Sequence, residues 1–194
     1  MDMGLLTALF QEQVKIIFGP RMRGIIALLA GLLILVVVNI SIAGKERLLA
    51  EGRVVYLQLL PVDPRSLMQG DYMALRFGVA EEAMRALPRT DAELSGNTEF
   101  INRDGRIVVS LDEKGIATFA RLDDGRPLTG NEALLRYRVR NGQLKFATNA
   151  FFFQEGQSEQ YASTRYGQFR VDEGGELLLT NLCDAELVVL GAGQ

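Results

Sequence analysis

The run from Pro61 to Phe77, PVDPRSLMQGDYMALRF, gathers many of the residues in this chain that are equipped for chemistry: Asp63, Asp71, Arg65, Ser66 and Tyr72. Asp63 with Asp71 forms a candidate carboxylate pair for acid–base work or for a hard cation, and Glu155 with Glu159 forms a second. Neither supplies the oxygen count of a dedicated Ca²⁺ loop, and short acidic spacings of this kind are common in solvated loops. Ser66 would need a base, and none of Lys45, Lys114 or Lys145 stands in a recognisable base motif. The chain has no His and a single Cys. That removes the commonest general base, the Ser–His and Cys–His pairs, and every His-containing metal site. One Cys also excludes an intramolecular disulfide and a zinc cluster. Cys183, in TNLCDAELVVL, reads as a small buried side chain. The expectation is no catalytic residue, no metal and no cofactor.

Most of the same run has a structural reading. Gly70 lets the chain turn sharply without a Cβ clash. Asp71 is placed to accept backbone N–H bonds in that turn. Leu75 and Phe77 share one face at period 2 and belong in a core. Pro61 and Pro64 stiffen the approach, and Arg65 has Asp63 and Asp71 as possible partners.

These residues need elements to hold them, and the hydropathy of the chain divides it first. Residues 24–43, GIIALLAGLLILVVVNISIA, carry no charge. As a helix this segment is about 30 Å long, the hydrocarbon thickness of a bilayer. It has no polar face, which a soluble core helix would show. Ser41-Ile42-Ala43 has the small-x-small form of a signal-peptidase site, yet the length of the apolar run and of the leader favours an uncleaved anchor. Within the span, Ala27 and Gly31 lie four apart, the spacing that admits a second helix closely. In the leader, residues 1–23, Leu6, Phe10 and Ile17 recur at helical spacing, as in an amphipathic helix on an interface. Lys15, Arg21 and Arg23 before the span balance Lys45, Arg47 and Arg53 after it, so charge alone leaves the orientation open.

Residues 44–194 carry 18 basic and 22 acidic side chains, an acidic balance that argues against nucleic acid as a partner. The pattern there has period 2. Strands are predicted over residues 53–60 (Val55, Leu57 and Leu59 inward), 71–78 (Met73, Leu75 and Phe77 inward), 106–112, 116–122, 168–171, 176–181 and 187–190. A short helix is predicted over 79–87 and a loop over 89–97. Leu135, Tyr137 and Val139 alternate with Arg136, Arg138 and Arg140, and Asn141-Gly142 then closes a two-residue hairpin. The arginine face reads as solvated, or as a contact for anionic lipid or an acidic partner. Phe151-Phe152-Phe153 reads as core or subunit interface. The predicted architecture is mainly β, a small barrel or sandwich with one or two short helices, preceded by a single transmembrane helix.

The segment from Gly70 to Phe77, G-D-Y-M-A-L-R-F, fits the pattern that names the GDYXXLXY family of bacterial membrane-anchored proteins, with Phe77 replacing the final Tyr. A second block, FFFQEGQSEQYASTRYGQFRVDEGG, is similar to the late part of that family through Phe153, Gln154, Glu155, Gly156, Tyr161, Arg165, Tyr166 and Gly167. The resemblance implies an N-terminal anchor in the bacterial inner membrane, an outside domain at residues 44–194 and association with a polytopic membrane protein. It implies no known activity. Leu67-Met68-Gln69-Gly70-Asp71 also resembles the G-D segment of membrane-anchored signal peptidases, but Val62 stands where their Ser would be. An interaction or assembly subunit is therefore expected. The alternatives are a ligand-binding or sensory domain and, more remotely, an Asp/Glu-based hydrolase.

Gly70→Val should destabilise the outer domain by more than about 1 kcal/mol by forcing a branched side chain into a tight turn. Asp71→Ala should cost about 1–3 kcal/mol through turn amides left without an acceptor. Thermal unfolding of the full chain in detergent reads both. An Asp71→Ala protein that melts like wild type while losing function in cells would assign Asp71 to binding or chemistry instead.

Overall fold

In the computed structural model, which describes residues 20–60, 72–88, 102–148, 150–153 and 158–191, the charge-free segment is helical, as its composition predicts. Helix α1 runs Pro20–Glu51. Met22–Glu51 is long and apolar enough to cross a membrane, and none of its most apolar stretch is buried within the chain. The two polar side chains of its charge-free segment, residues 24–43, turn back on the helix. Asn39 Nδ2 donates to the Leu35 carbonyl at 2.8 Å and Ser41 Oγ to that of Val37 at 2.9 Å, which satisfies both groups without water. The leader helix expected before Pro20, and the loop expected over 89–97, lie outside the described residues. The chain divides into two compact units between Arg47 and Leu48.

The second unit opens on the last turn of α1 and is mainly β. Its elements are β1 (Arg53–Gln58), β2 (Tyr72–Ala74), α2 (Gly78–Ala86), β3 (Arg103–Leu111), β4 (Ala117–Leu122), β5 (Glu132–Arg140), β6 (Gln143–Lys145), β7 (Ala150–Phe152), a 3₁₀ turn at Ser158–Tyr161, β8 (Tyr166–Val171) and β9 (Leu177–Cys183). The strand orders are β1-β8-β9, β2-β7 and β4-β3-β5-β6, and neighbouring strands are antiparallel throughout. Two backbone contacts stitch the larger sheets into a half-barrel. Tyr56 N–H donates to the Gly115 carbonyl at 2.9 Å beside a parallel bridge to Ile116, and Arg136 N–H donates to the Gly175 carbonyl at 2.7 Å. Bulges at Val108/Val109 and Gln168/Phe169 bend the sheets into that curve.

Alternation decides what faces the core. Val55 and Leu57 of β1, Leu135, Tyr137 and Val139 of β5, and Phe169 and Val171 of β8 are buried around Ile107 and Val109. Each such side chain withdrawn from water stabilises the fold by about 1.5–3 kcal/mol. Helix α2 adds Val79, Ala80 and Ala83. The Asn141-Gly142 turn has φ of 52° and 70°, the left-handed pair that a type I′ turn demands.

Several expectations change in detail. The strand predicted over 71–78 keeps its facing, since Met73, Leu75 and Phe77 are all buried, but hydrogen-bonds as a strand only over Tyr72–Ala74. Strand β3 starts at Arg103, earlier than the apolar pattern signals, because its first residues, Arg103 to Arg106, pair with β5 without carrying an apolar side chain. The strand predicted over 187–190 is reduced to one bridge, Cys183 with Val189, since Leu187 takes a positive φ of 65°.

Gly52 ends α1 with a close approach. Its N–H donates to the Leu48 carbonyl at 3.0 Å and its own carbonyl accepts Arg170 Nη1 at 2.9 Å. A Cβ here would press into the Leu48 carbonyl oxygen and lie 3.2 Å from Arg170 Cβ. Gly52→Ala should therefore lower stability by about 1–3 kcal/mol. Gly130→Ala, where an added Cβ meets nothing within 4 Å, should melt like wild type. Thermal unfolding of the two variants side by side makes the comparison.

Candidate functional site

The two sequence blocks are neighbours in the fold, joined first by backbone. Tyr72, Met73 and Ala74 of β2 stand opposite Phe152, Phe151 and Ala150 of β7. Leu57 and Gln58 of β1 stand opposite Gly167 and Tyr166 of β8, and Leu59 N–H donates to the Arg165 carbonyl at 2.8 Å. Leu59 also bridges Phe77. Side chains then close the seam. The Phe77 ring lies edge-on to Phe169 at 5.4 Å and to Phe146 at 6.1 Å. A Cβ on Gly167 would sit 3.1 Å from both Phe77 and Phe169, so the missing side chain of the second block makes room for the aromatic of the first. Leu75 is buried beside them.

A second aromatic cluster holds β7. Tyr161, at the end of the 3₁₀ turn, meets Phe151 edge-on and stacks on Phe153, both at 5.2 Å. Thr164 Oγ1 donates to the Tyr161 carbonyl at 2.7 Å, and Arg165 N–H donates to the Cys183 carbonyl at 2.8 Å. The Arg165 side chain is exposed and Tyr166 is half-buried. Phe152 points outward and is 74% exposed, so the triple-Phe run divides between core and surface as strand alternation requires. Asp63, Pro64, Arg65, Gly70, Asp71, Gln154, Glu155 and Gly156 lie outside the described residues. So do both carboxylate pairs apart from Glu159, which is exposed. Among the described residues no three metal-type side chains gather. Cys183 is fully buried, and burial, with the charge of Asp184 adding to it, pushes its thiol up.

The arginine face of β5 needs a correction. Its three guanidinium groups do not all stand free. Arg136 Nη1 is 3.3 Å from Glu176 Oε2, and Arg140 Nη1 is 2.6 Å from Asp104 Oδ1. The hydrogen bond from Arg140 holds the Asp104 carboxyl below the usual range; burial opposes it, and the charges of Arg140 and Arg138 add smaller contributions in the direction of the bond. Arg138 itself, flanked by Asp104 on β3 and Lys145 on β6, bonds no carboxylate among the described residues. The partners escape a sequence reading because Asp104 reaches β5 from β3 and Glu176 from the turn between β8 and β9.

The family model for GDYXXLXY proteins matches residues 34–182. The chain belongs to the GDYXXLXY family. No curated protein and no solved structure matches it. In this GDYXXLXY protein the match begins within α1 and ends in β9, so it takes in both blocks and the seam between them. The motif's final position, Phe77 here, lies in an apolar pocket of Phe146 and Phe169.

Phe77→Ala should cost about 3–5 kcal/mol, as a large core aromatic removed from two ring contacts. Gly167→Val should cost about 1–3 kcal/mol by overpacking the same point from the other side. Arg165→Ala should stay within about 0.5 kcal/mol of wild type. Denaturant unfolding followed by circular dichroism ranks the three.

Proposed function

We propose that this GDYXXLXY protein is an interaction or assembly subunit: an inner-membrane, single-pass protein whose β unit lies outside the membrane and docks on a polytopic membrane protein. The observation that carries the reading is α1. Its apolar surface is unburied within the chain, and an added Cβ at Gly31 meets nothing within 4 Å, leaving a flat strip with Ala27 for another helix. Membrane helices gain no net drive from burying apolar surface in each other, so close packing at small residues supplies the association. The described motif residues support the same reading, because Leu75, Phe77, Tyr161 and Gly167 are occupied in packing. Arg21 and Arg23 at the edge of the span favour an inside N-terminus.

A C-terminal reporter active only in the periplasm should be on. Gly31→Leu, and replacement of the span by a poly-Leu helix, should both weaken co-purification with a polytopic partner and leave the unfolding of the β unit unchanged. A poly-Leu version that keeps full function, from a native protein that purifies alone, would make the helix a tether and favour a ligand-binding or sensory domain.

A further inference from the structure

The β5–β6 hairpin sets like charges against each other. Arg138 and Lys145 are direct cross-strand partners, an arrangement that destabilises an antiparallel pair. The nearest acid in register, Asp104, is engaged by Arg140 at 2.6 Å. Acids outnumber bases in residues 44–194, so the like-charge pair at this point is a matter of placement and not of composition.

Two open grooves meet there. One, about 280 Å³, has Arg136, Arg138 and Glu176 on its rim, and the other, about 390 Å³, has Arg138, Arg140 and Lys145. The two share Arg138, Phe146 and Ala147 and so form a continuous trough with Arg138 at its middle, exposed Ala147 as its apolar surface and Phe146, 2% exposed, closed off beneath it. Phe146 is held by the motif, through its edge-on contact with Phe77.

We propose that this trough docks an extended acidic segment of a protein partner, with carboxylates on Arg138 and Lys145 and the intervening side chains over Ala147. The inference deepens the interaction reading above and rests on it for the identity of the partner. Charge complementarity selects the sign of the segment. The rim selects its form: Asp104 and Glu176, tied to Arg140 and Arg136, confine the positive charge to the single point of Arg138 and Lys145, which a strand-like peptide meets with its carboxylates while its alternate residues face Ala147.

The test uses the full chain in phosphatidylcholine nanodiscs, titrated with a fluorescein-labelled peptide of alternating Glu and Val and read by anisotropy. Saturable, salt-sensitive binding is expected, weakened about tenfold or more in the Arg138→Gln, Lys145→Gln double variant. That variant should melt no lower than wild type, because it removes a like-charge pair. Arg126→Glu, a charge change at an exposed arginine tied to Asp124, should alter binding less than about twofold. Equal losses in both variants, or none in the double variant, overturn the proposal. So does loss of peptide binding when phosphatidylglycerol replaces phosphatidylcholine in the nanodiscs, which assigns the cations to a lipid surface. Co-purification from native membranes separates the two readings. A polytopic partner kept by wild type and Arg126→Glu and lost from the double variant supports both. A partner kept by all three removes the trough as its contact and leaves the interaction reading standing. No partner even with wild type overturns the interaction reading, and the peptide titration then decides the trough alone.

Discussion

A benzyl group at position 77 and a lone hydrogen at position 167 share a space that holds only one side chain. Gly167 lies in β8 opposite Leu57 of β1, so the vacancy opens in the middle of the three-stranded sheet. Phe77 enters it and reaches Phe169 on one side and Phe146 on the other. From that point the local structure follows. The Phe77 carbonyl accepts the Ala80 N–H and starts α2, the bridge to Leu59 fixes the end of β1, and Phe146 is pinned beneath the hairpin surface. The described half of the motif is the joint between two sheets.

The hairpin surface carries the opposite kind of constraint. Arginines on one strand face are cheap in water, and each exposed pair with Asp or Glu adds only about 0–1 kcal/mol. Arg136 and Arg140 take such partners, and among the described residues Arg138 does not. Asp104 is the pivot, because its carboxylate answers Arg140 directly and Arg138 through charge alone. The face is thus partly neutralised and leaves positive charge at one point of the trough.

Much of this was legible in the residues, and the divide is physical. Period-2 alternation identified the inward faces of β1 and β5, and Asn141-Gly142 identified its hairpin, because both signals are local. The composition of α1 identified a membrane-length helix for the same reason. The β2–β7 pair was not legible. Alternation turned Met73 inward but names no partner, the three residues of β7 give no period, and the register of Met73 with Phe151 is set by Tyr161 gripping the Phe151 and Phe153 rings from a later turn. The ion pairs failed to show for a related reason: Arg136 of β5 and Glu176 of the β8–β9 turn lie 40 positions apart, and only the closed sheets bring them together. Sequence also singled out Gly167 without saying why, since its role is an absence that only the neighbouring Phe77 ring gives meaning.

The position of β1 in the chain has a consequence for synthesis. This strand follows α1 after the single residue Gly52, yet its antiparallel partner is β8, and the bond from Arg170 to the Gly52 carbonyl spans 118 positions. The β3–β4, β5–β6 and β8–β9 hairpins can each form as their own residues emerge. Strand β1 has to wait, holding Val55 and Leu57 uncovered until β8 has been made. A ribosome that stops before Tyr166 leaves a fragment with an orphan strand beside its helix, ready to pair with a neighbour's edge or to be cut. Completion of the carboxyl-terminal strands is therefore the step that turns a nascent, protease-sensitive chain into a finished one.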